Sequence, residues 1–394
     1  MPSTYIADVT LFDGRAVKAK QGVLVEEERI TWVGAHARAP RRARGTTRVE
    51  GTGKTLSPGL IDCHVHLAFD GSADFAGEAA RITPGLAGVK ATVNVRKHLL
   101  AGVTTVRDLG GPDGACIDVA RAIEDGMIVG PRVLAAGHAL TITGGHGHNI
   151  AFAREVDGAD AMRKAVREEI RRGATAIKIV ATGGVLTPGI GATFTAYTAE
   201  ELAAAVDEAH RRGRPVAAHA IGAEGILGAV TAGVDSIEHC NNVTPQIARE
   251  MKARRTYRSP TLCAIRGIVD NPANVPSYAV EKGREIEAAS RESHVRAIKA
   301  GVLHVCGTDA GTPFNPHGSA PKELAFMVEW GMTPLAAMRA GTANGADLLR
   351  LPDVGRVAKG TVADLVLYED NPVEDIAALG TPLRVWRAGT VVNP

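Results

Sequence analysis

The chain is 394 residues long, 45% hydrophobic and 22% charged, which is the profile of a globular protein with a large core. Its 45 Lys+Arg against 43 Asp+Glu leave a formal +2, so charge gives no case for nucleic acid or an anionic membrane as partner. The five cysteines form no CxxC pair, the opening MPSTYIADVT carries no basic and apolar leader, and no apolar run reaches membrane-spanning length. A small molecule is the expected partner and the reducing cytoplasm the expected compartment.

In chain order, residues 4–56 show short alternating patterns (YIADVTLFDG, QGVLVEEERITWVG) broken by Gly and Asp turns, the signature of antiparallel strands. The same texture returns at 357–393 (VADLVLYED, LRVWRAGTVV), so one small β-sandwich built from both termini is expected. Residues 1–57 would give one half and 355–394 the other. Between them, in 58–354, one phrase recurs: LLAGVTTVRD, IRRGATAIKI, HRRGRPVAAH, VTAGVDSIEH and IKAGVLHVCGTD. Each ends a helical pattern on a glycine suited to a left-handed cap and continues into an apolar, often β-branched run. Helix, glycine, strand, repeated, is the grammar of a parallel sheet with crossover helices. Eight strands are expected, at 61–66, 103–108, 132–136, 175–180, 215–219, 235–239, 256–262 and 303–308. Eight closes an α/β fold of the (β/α)8 TIM-barrel type.

The strand ends carry the chemistry. After Gly102, Gly173, Gly213, Gly233 and Gly301, the runs end at Asp108, Lys178, His219, His239 and Asp309. Parallel strands in register gather such groups at the carboxyl rim, where barrel enzymes keep their active sites. His64-Val-His66 places two imidazoles on one face of the first strand, about 7 Å apart along the backbone, a spacing that suits two bonds to one metal. Asp309, closing the last strand, lies beside them once the barrel closes. His219 and His239 are one βα unit apart and are neighbours.

That is too many ligands for one ion and a natural complement for two. His64, His66 and Asp309 would hold one divalent metal, most naturally Zn2+, and His219 with His239 the other. Lys178 lies among Ile177, Ile179 and Val180, where an ammonium loses its hydration. A neutral lysine amine adds CO2 to give a carbamate with two oxygens, able to bridge metals about 3.5–4 Å apart. The rival readings are a Schiff-base lysine, a simple ion pair, or a head group that reaches solvent. Two such ions would turn a bound water into a bridging hydroxide at neutral pH, and Asp309 is placed as general base and then acid. The expected reaction is hydrolysis of an amide-type C–N bond in a small molecule.

These motifs resemble the amidohydrolase superfamily over nearly the whole chain: SPGLIDCHVHL, TTVRDLGG, AIKIVATGG, AAHAIGAEGI, AGVDSIEHC, GTDAGTP and GRVAKGTVADLVLYEDNPVEDI. The resemblance implies a barrel with a flanking β-sandwich and a binuclear zinc centre bridged by a carboxylated lysine. It implies His64, His66, Lys178, His219, His239 and Asp309 as ligands, and a homo-oligomer. TITGGHGHNI is similar to the imidazolonepropionase-related branch, which includes dipeptidases cleaving Xaa-Pro bonds. In several of those dipeptidases a tyrosine thought to polarise the carbonyl follows the strand-five histidine by two residues; here that position is Ile221.

The glycine-rich stretch GHALTITGGHGHNI offers other imidazoles to polarise a carbonyl, His146 first and then His138, with His148 beside them. Tyr257 or Arg258, whichever faces inward, and His317 are further candidates for substrate contact. Alternatives are a cyclic-amide (imidazolone or lactam) hydrolase, a mononuclear deaminase, or a non-catalytic metal-binding scaffold.

Overall fold

The computed structural model describes residues 3–392. The terminal segments join in one hydrogen-bonded sheet of eight strands. Ser3–Phe12 pairs antiparallel with Val17–Glu26, which pairs with Arg29–Ala35. On its other edge, residues 4–7 meet Thr47–Glu50 and residues 10–11 meet Thr55–Pro58, both in parallel. The change of partner falls at Asp8, whose φ of +53° marks a bulge in the register. Leu365–Tyr368 zips antiparallel onto Thr55–Pro58 and carries Pro382–Arg387 with it. The expected two-ended β domain is therefore present, as one continuous sheet. Its core is Ile6, Val23, Leu56, Leu365 and the fully buried Trp386. Asp364 ties this domain to the barrel, accepting from Arg132 at 3.2 Å and Arg387 at 3.1 Å.

The middle of the chain is the barrel. Seven parallel strands are regular: Leu60–Val65, Val103–Asp108, Arg132–Ala135, Ile177–Val180, Val216–Ala220, Ser236–His239 and Tyr257–Ser259. Their neighbours pair in sequence order, and Ala139–Thr141 extends the third strand past Gly137 to meet Ile177–Val180. The five phrase glycines, Gly102, Gly173, Gly213, Gly233 and Gly301, all take positive φ, as a left-handed helix stop requires. Helices cover the outside, and the layer between is apolar: Ile177 and Ile179 pack among Met162, Val166, Leu202 and Ile226.

The eighth strand differs from expectation. Residues 303–308 form no continuous ladder; the segment is bridged to the seventh strand at Arg258↔His304, and the bridge Val65↔Ala310 lies just beyond it. Side chains claim part of its backbone, Asn344 the His304 carbonyl and Asn315 the Thr308 carbonyl. Asp62 accepts from the Thr308 backbone N–H at 3.0 Å and from its hydroxyl at 2.7 Å. Backbone bonds from Cys63 to Cys306, Asp309 to His64 and His66 to Ala310 still close the barrel. The seventh strand also stops early, because Thr261 turns left-handed (φ +51°) into the helix Leu262–Val269.

Candidate metal centre

Strand alternation turns Ile177 and Ile179 toward the helices and Lys178 and Val180 into the barrel mouth. The same rule brings in His64 and His66 from the first strand, His219 from the fifth and His239 from the sixth. Asp309 joins them from the irregular eighth segment, its Oδ1 3.3 Å from His64 Nε2 and 3.2 Å from His66 Nε2. Lys178 Nζ is 3.4 Å from His64 Nε2. The His219 and His239 rings lie 4.5 Å apart, and the His64 and His239 rings 5.4 Å apart. Ligand atoms of His64, His239 and Asp309 all fall within 4.8 Å of one another, a cluster able to hold a metal ion.

The chemistry of these donors fits a metal. Each imidazole has one nitrogen fixed by the protein, which leaves the other uncommitted, the state a metal ligand requires. His64 Nδ1 is held by Glu238 at 3.0 Å, His66 Nδ1 by the Gly110 carbonyl at 3.1 Å and His239 Nδ1 by Thr261 Oγ1 at 2.7 Å. His219 is held the other way, through Nε2 to the Gly183 carbonyl at 2.8 Å, so Nδ1 is its uncommitted nitrogen. Burial drives His64, His219 and His239 well below the ordinary imidazole range, and the Lys178 ammonium beside them lowers each further. Neutral imidazole is the form a metal binds. His66 is drawn upward: burial opposes its charge most strongly, but the hydrogen bond to Asp309 and the charges of Asp309 and Asp108 together outweigh it. Burial raises Asp309, yet His64 and His66 hold its carboxyl below the usual carboxylate range. Burial pushes Lys178 down to about 8, which makes a neutral amine accessible.

Two ligand positions are conformationally strained. His239 (φ +66°) and Asp309 (φ +60°) are left-handed without being glycine, at a cost of about 1–2 kcal/mol each. Such geometry persists where surrounding contacts over-determine it, and it clusters at functional sites.

The outer candidates divide. His146 lines the cavity above the cluster, its ring 4.7 Å from His219. His138 does not reach it; its Nδ1 is 3.3 Å from the buried Glu169 and 3.0 Å from Arg172, behind the third strand. Tyr257 lies inside the barrel with Ile61, Leu134 and Val305, away from the cavity lining. Arg258 is fully buried against the Cys240 carbonyl and His294. His317 sits behind the first-strand loop, 2.9 Å from His98 through Nδ1 and 2.6 Å from the Phe69 carbonyl through Nε2. His148 is exposed, and Asp108 caps the backbone of Leu67 at 2.7 Å. Sequence reasoning missed Glu238 and Arg107, an ion pair at 2.9 Å, both fully buried beneath His64. Their signal was present in the chain as two charged residues inside apolar strands (VRD, SIEH). It also missed Asn241, which lines the cavity, and Thr187.

The model of the Amidohydrolase family matches residues 55–392. The chain belongs to that family. Ochratoxinase from Aspergillus niger is 34% identical over 416 residues, covering 96% of this chain and 83% of the relative. Imidazolonepropionase from Salinispora tropica is 26% identical, covering 88% and 85%. The crystal structure of a Xaa-Pro dipeptidase with bound methionine in its active site superposes with a TM-score of 0.93 at 30% identity, over the full length of both chains. The crystal structure of A. niger ochratoxinase gives 0.89 at 32%, covering 99% of this chain and 95% of that one. Membership of the amidohydrolase family together with the His–His–Asp cluster makes this a metal-dependent hydrolase of an amide-type C–N bond in a small molecule. Among the described residues no helix is long and apolar enough to cross a membrane.

Proposed function

We propose that the protein is a binuclear hydrolase of small apolar amides, such as N-acyl amino acids, dipeptides or related amides and carbamates. His64, His66 and Asp309 would hold one Zn2+, His219 and His239 the second, and Lys178 would bridge them as its carbamate. The observation that carries this reading is the fixed orientation of four imidazoles around one buried lysine. When bound, such ions supply a nucleophilic water at neutral pH and a Lewis acid for the carbonyl.

The chain's own residues do the rest. Asp309 Oδ1 takes one proton of the attacking water as the new C–O bond forms, then delivers it to the nitrogen as the C–N bond breaks, giving a carboxylic acid and an amine, which exchange the remaining proton to leave as carboxylate and ammonium. His146, above the cluster, donates to the carbonyl oxygen as it gains charge, a role closed to the apolar Ile221. Phe69, Phe75, Phe152, Ile265 and Ile268 wall the cavity and exclude water from around the reacting bond. An apolar side chain on the substrate suits those walls, as does the methionine seen in the related dipeptidase. Residues 58–354 are read as the catalytic barrel, and 1–57 with 355–394 as its β domain. The five buried free cysteines accord with the reducing cytoplasm. Leu86, Val89 and Val93, exposed on one helix, accord with a homo-oligomer.

Metal content and Lys178→Ala, assayed together, test the reading. The panel would hold N-acyl amino acids, Xaa-Pro and Xaa-Arg dipeptides, lactams and aryl carbamates. The expected result is about two metals per chain in the parent, falling to one or none in the variant. Activity is then lost and partly restored by a short-chain carboxylic acid. Retention of both metal and activity overturns the binuclear centre.

A further inference from the structure

The loop after the fourth barrel strand is built around one hydroxyl. Thr187 is fully buried, and its Oγ1 accepts the backbone N–H of Gly147 at 3.0 Å. It also lies 2.7 Å from His146 Nδ1. A backbone N–H can only donate, so that contact uses a lone pair of the hydroxyl and leaves its proton to be placed. Among the described residues His146 Nδ1 is the one acceptor in reach. If Nδ1 carried a proton, the hydroxyl would accept twice and donate nowhere, at a cost of about 1–3 kcal/mol for a buried polar group.

We propose that Thr187 is a positioning residue that sets the tautomer of His146, donating to Nδ1 and so keeping the ring proton on Nε2. This rests on the reading of His146 as the group that polarises the substrate carbonyl. A neutral imidazole with an acceptor at Nδ1 is a donor at Nε2. Nε2 has no partner among the described residues, and the ring lines the cavity with Asp309 and His219. It therefore presents a fixed donor where a carbonyl oxygen would gain charge.

The surroundings hold this pair in place. A Cβ at Gly184 would lie 2.4 Å from the His146 ring, so the loop approaches the imidazole only because that residue is glycine. Pro188 restricts Thr187 to extended backbone. From the helix Ser277–Ala300, Lys282 Nζ donates to the carbonyls of Thr187 at 2.9 Å and Ile190 at 2.7 Å. Tyr278 donates to the Leu186 carbonyl at 3.1 Å.

The test begins with the ring nitrogens of His146 in protein labelled with 15N-histidine, its signals assigned by their loss in His146→Gln. A pyridine-type Nδ1 and a pyrrole-type Nε2 are expected; the reverse overturns the proposal whatever the enzyme's activity. Thr187→Val removes the donor and keeps the volume. It should lower kcat about 100-fold, the scale of losing one oxyanion donor, with KM and metal content unchanged, while Thr187→Ser keeps kcat within a few fold. Wild-type kcat in Thr187→Val overturns the tautomer role. Wild-type kcat in His146→Gln overturns instead the assignment of His146 to the carbonyl, and leaves the nitrogen signals to judge Thr187 alone.

Discussion

The terminal β domain buries Ile6, Val23, Leu56, Leu365 and Trp386 against one another, and every one of them lowers the free energy by leaving water. At the barrel mouth His64, His66, Lys178, His219 and Asp309 are buried to a similar degree. There each group loses hydration that its neighbours must replace. The replacement is specific: a carbonyl, a carboxylate or a hydroxyl on the far nitrogen of each ring, with Arg107 balancing Glu238 beneath His64. The β domain gains stability from its burial, and the rim gives up stability to keep acceptors and donors in one arrangement. Two left-handed ligand residues add to that cost.

The contrast yields tests, taken from the largest effect downward. Removing the rim's lysine should abolish turnover: Lys178→Ala is expected to lose at least ~10³-fold in kcat/KM, while its melting temperature, compared with the parent after a chelator has stripped both of metal, stays level or rises. The lysine contributes its burial cost to folding, so a marked fall in melting temperature would break the contrast. In the β domain the order reverses. Trp386→Ala should cost about 3–5 kcal/mol in urea unfolding, with kcat of the folded enzyme near that of the parent. Glu238→Gln should weaken metal affinity about 10–100-fold, read by competition with a chelator, because the carboxylate no longer orients His64.

A fourth test uses buried histidines away from the ligands. Burial drives His304 to about 3 and His317 to about 4, against an ordinary value of 6.5. The unfolded chain binds these protons and the folded one does not, so stability is complete above pH 6.5 and falls as pH drops toward 4 and 3. The slope per group is about 1.4 kcal/mol per pH unit. His317→Asn should remove about one proton from that slope; an unchanged slope would show that His317 is protonated in the fold. The smallest effect belongs to an ordinary helix start. Thr198→Ala removes a capping box with Glu201 and should cost about 1 kcal/mol, with catalysis untouched.

Much of this design was legible in the chain. Glycine between a helical pattern and a β-branched run located four of the seven regular barrel strands within two residues, because a left-handed stop and a strand start are local events. The candidate ligands were legible because strand alternation is also local: a polar residue flanked by buried apolar ones must face inward. The seventh strand was expected to run to 262 and ends at Ser259. The eighth was expected at 303–308, where the Asp62 carboxylate from the first strand takes the N–H and hydroxyl of Thr308 and the pairing stays irregular. No pattern within IKAGVLHVCGTD signals a partner as remote in the chain as Asp62.

The outer shell shows the same boundary. His138 and His317 are near the rim in sequence, and the fold turns them to Glu169 and to the Phe69 carbonyl; Tyr257 opens its strand and stays in the barrel interior. His146 reaches the cavity because Gly184 yields space from another loop. Periodicity and glycine placement act over a few residues, so the barrel, the two-ended β domain and the ring of inward-facing donors were already written in the chain. Which nitrogen of each ring is held, and which outer histidine lines the cavity, was settled by the packed molecule. Those choices depend on hydrogen-bond partners such as Glu238, Gly183, Thr261 and Thr187, which come from distant segments and reach the rings at 2.7–3.0 Å once the barrel closes.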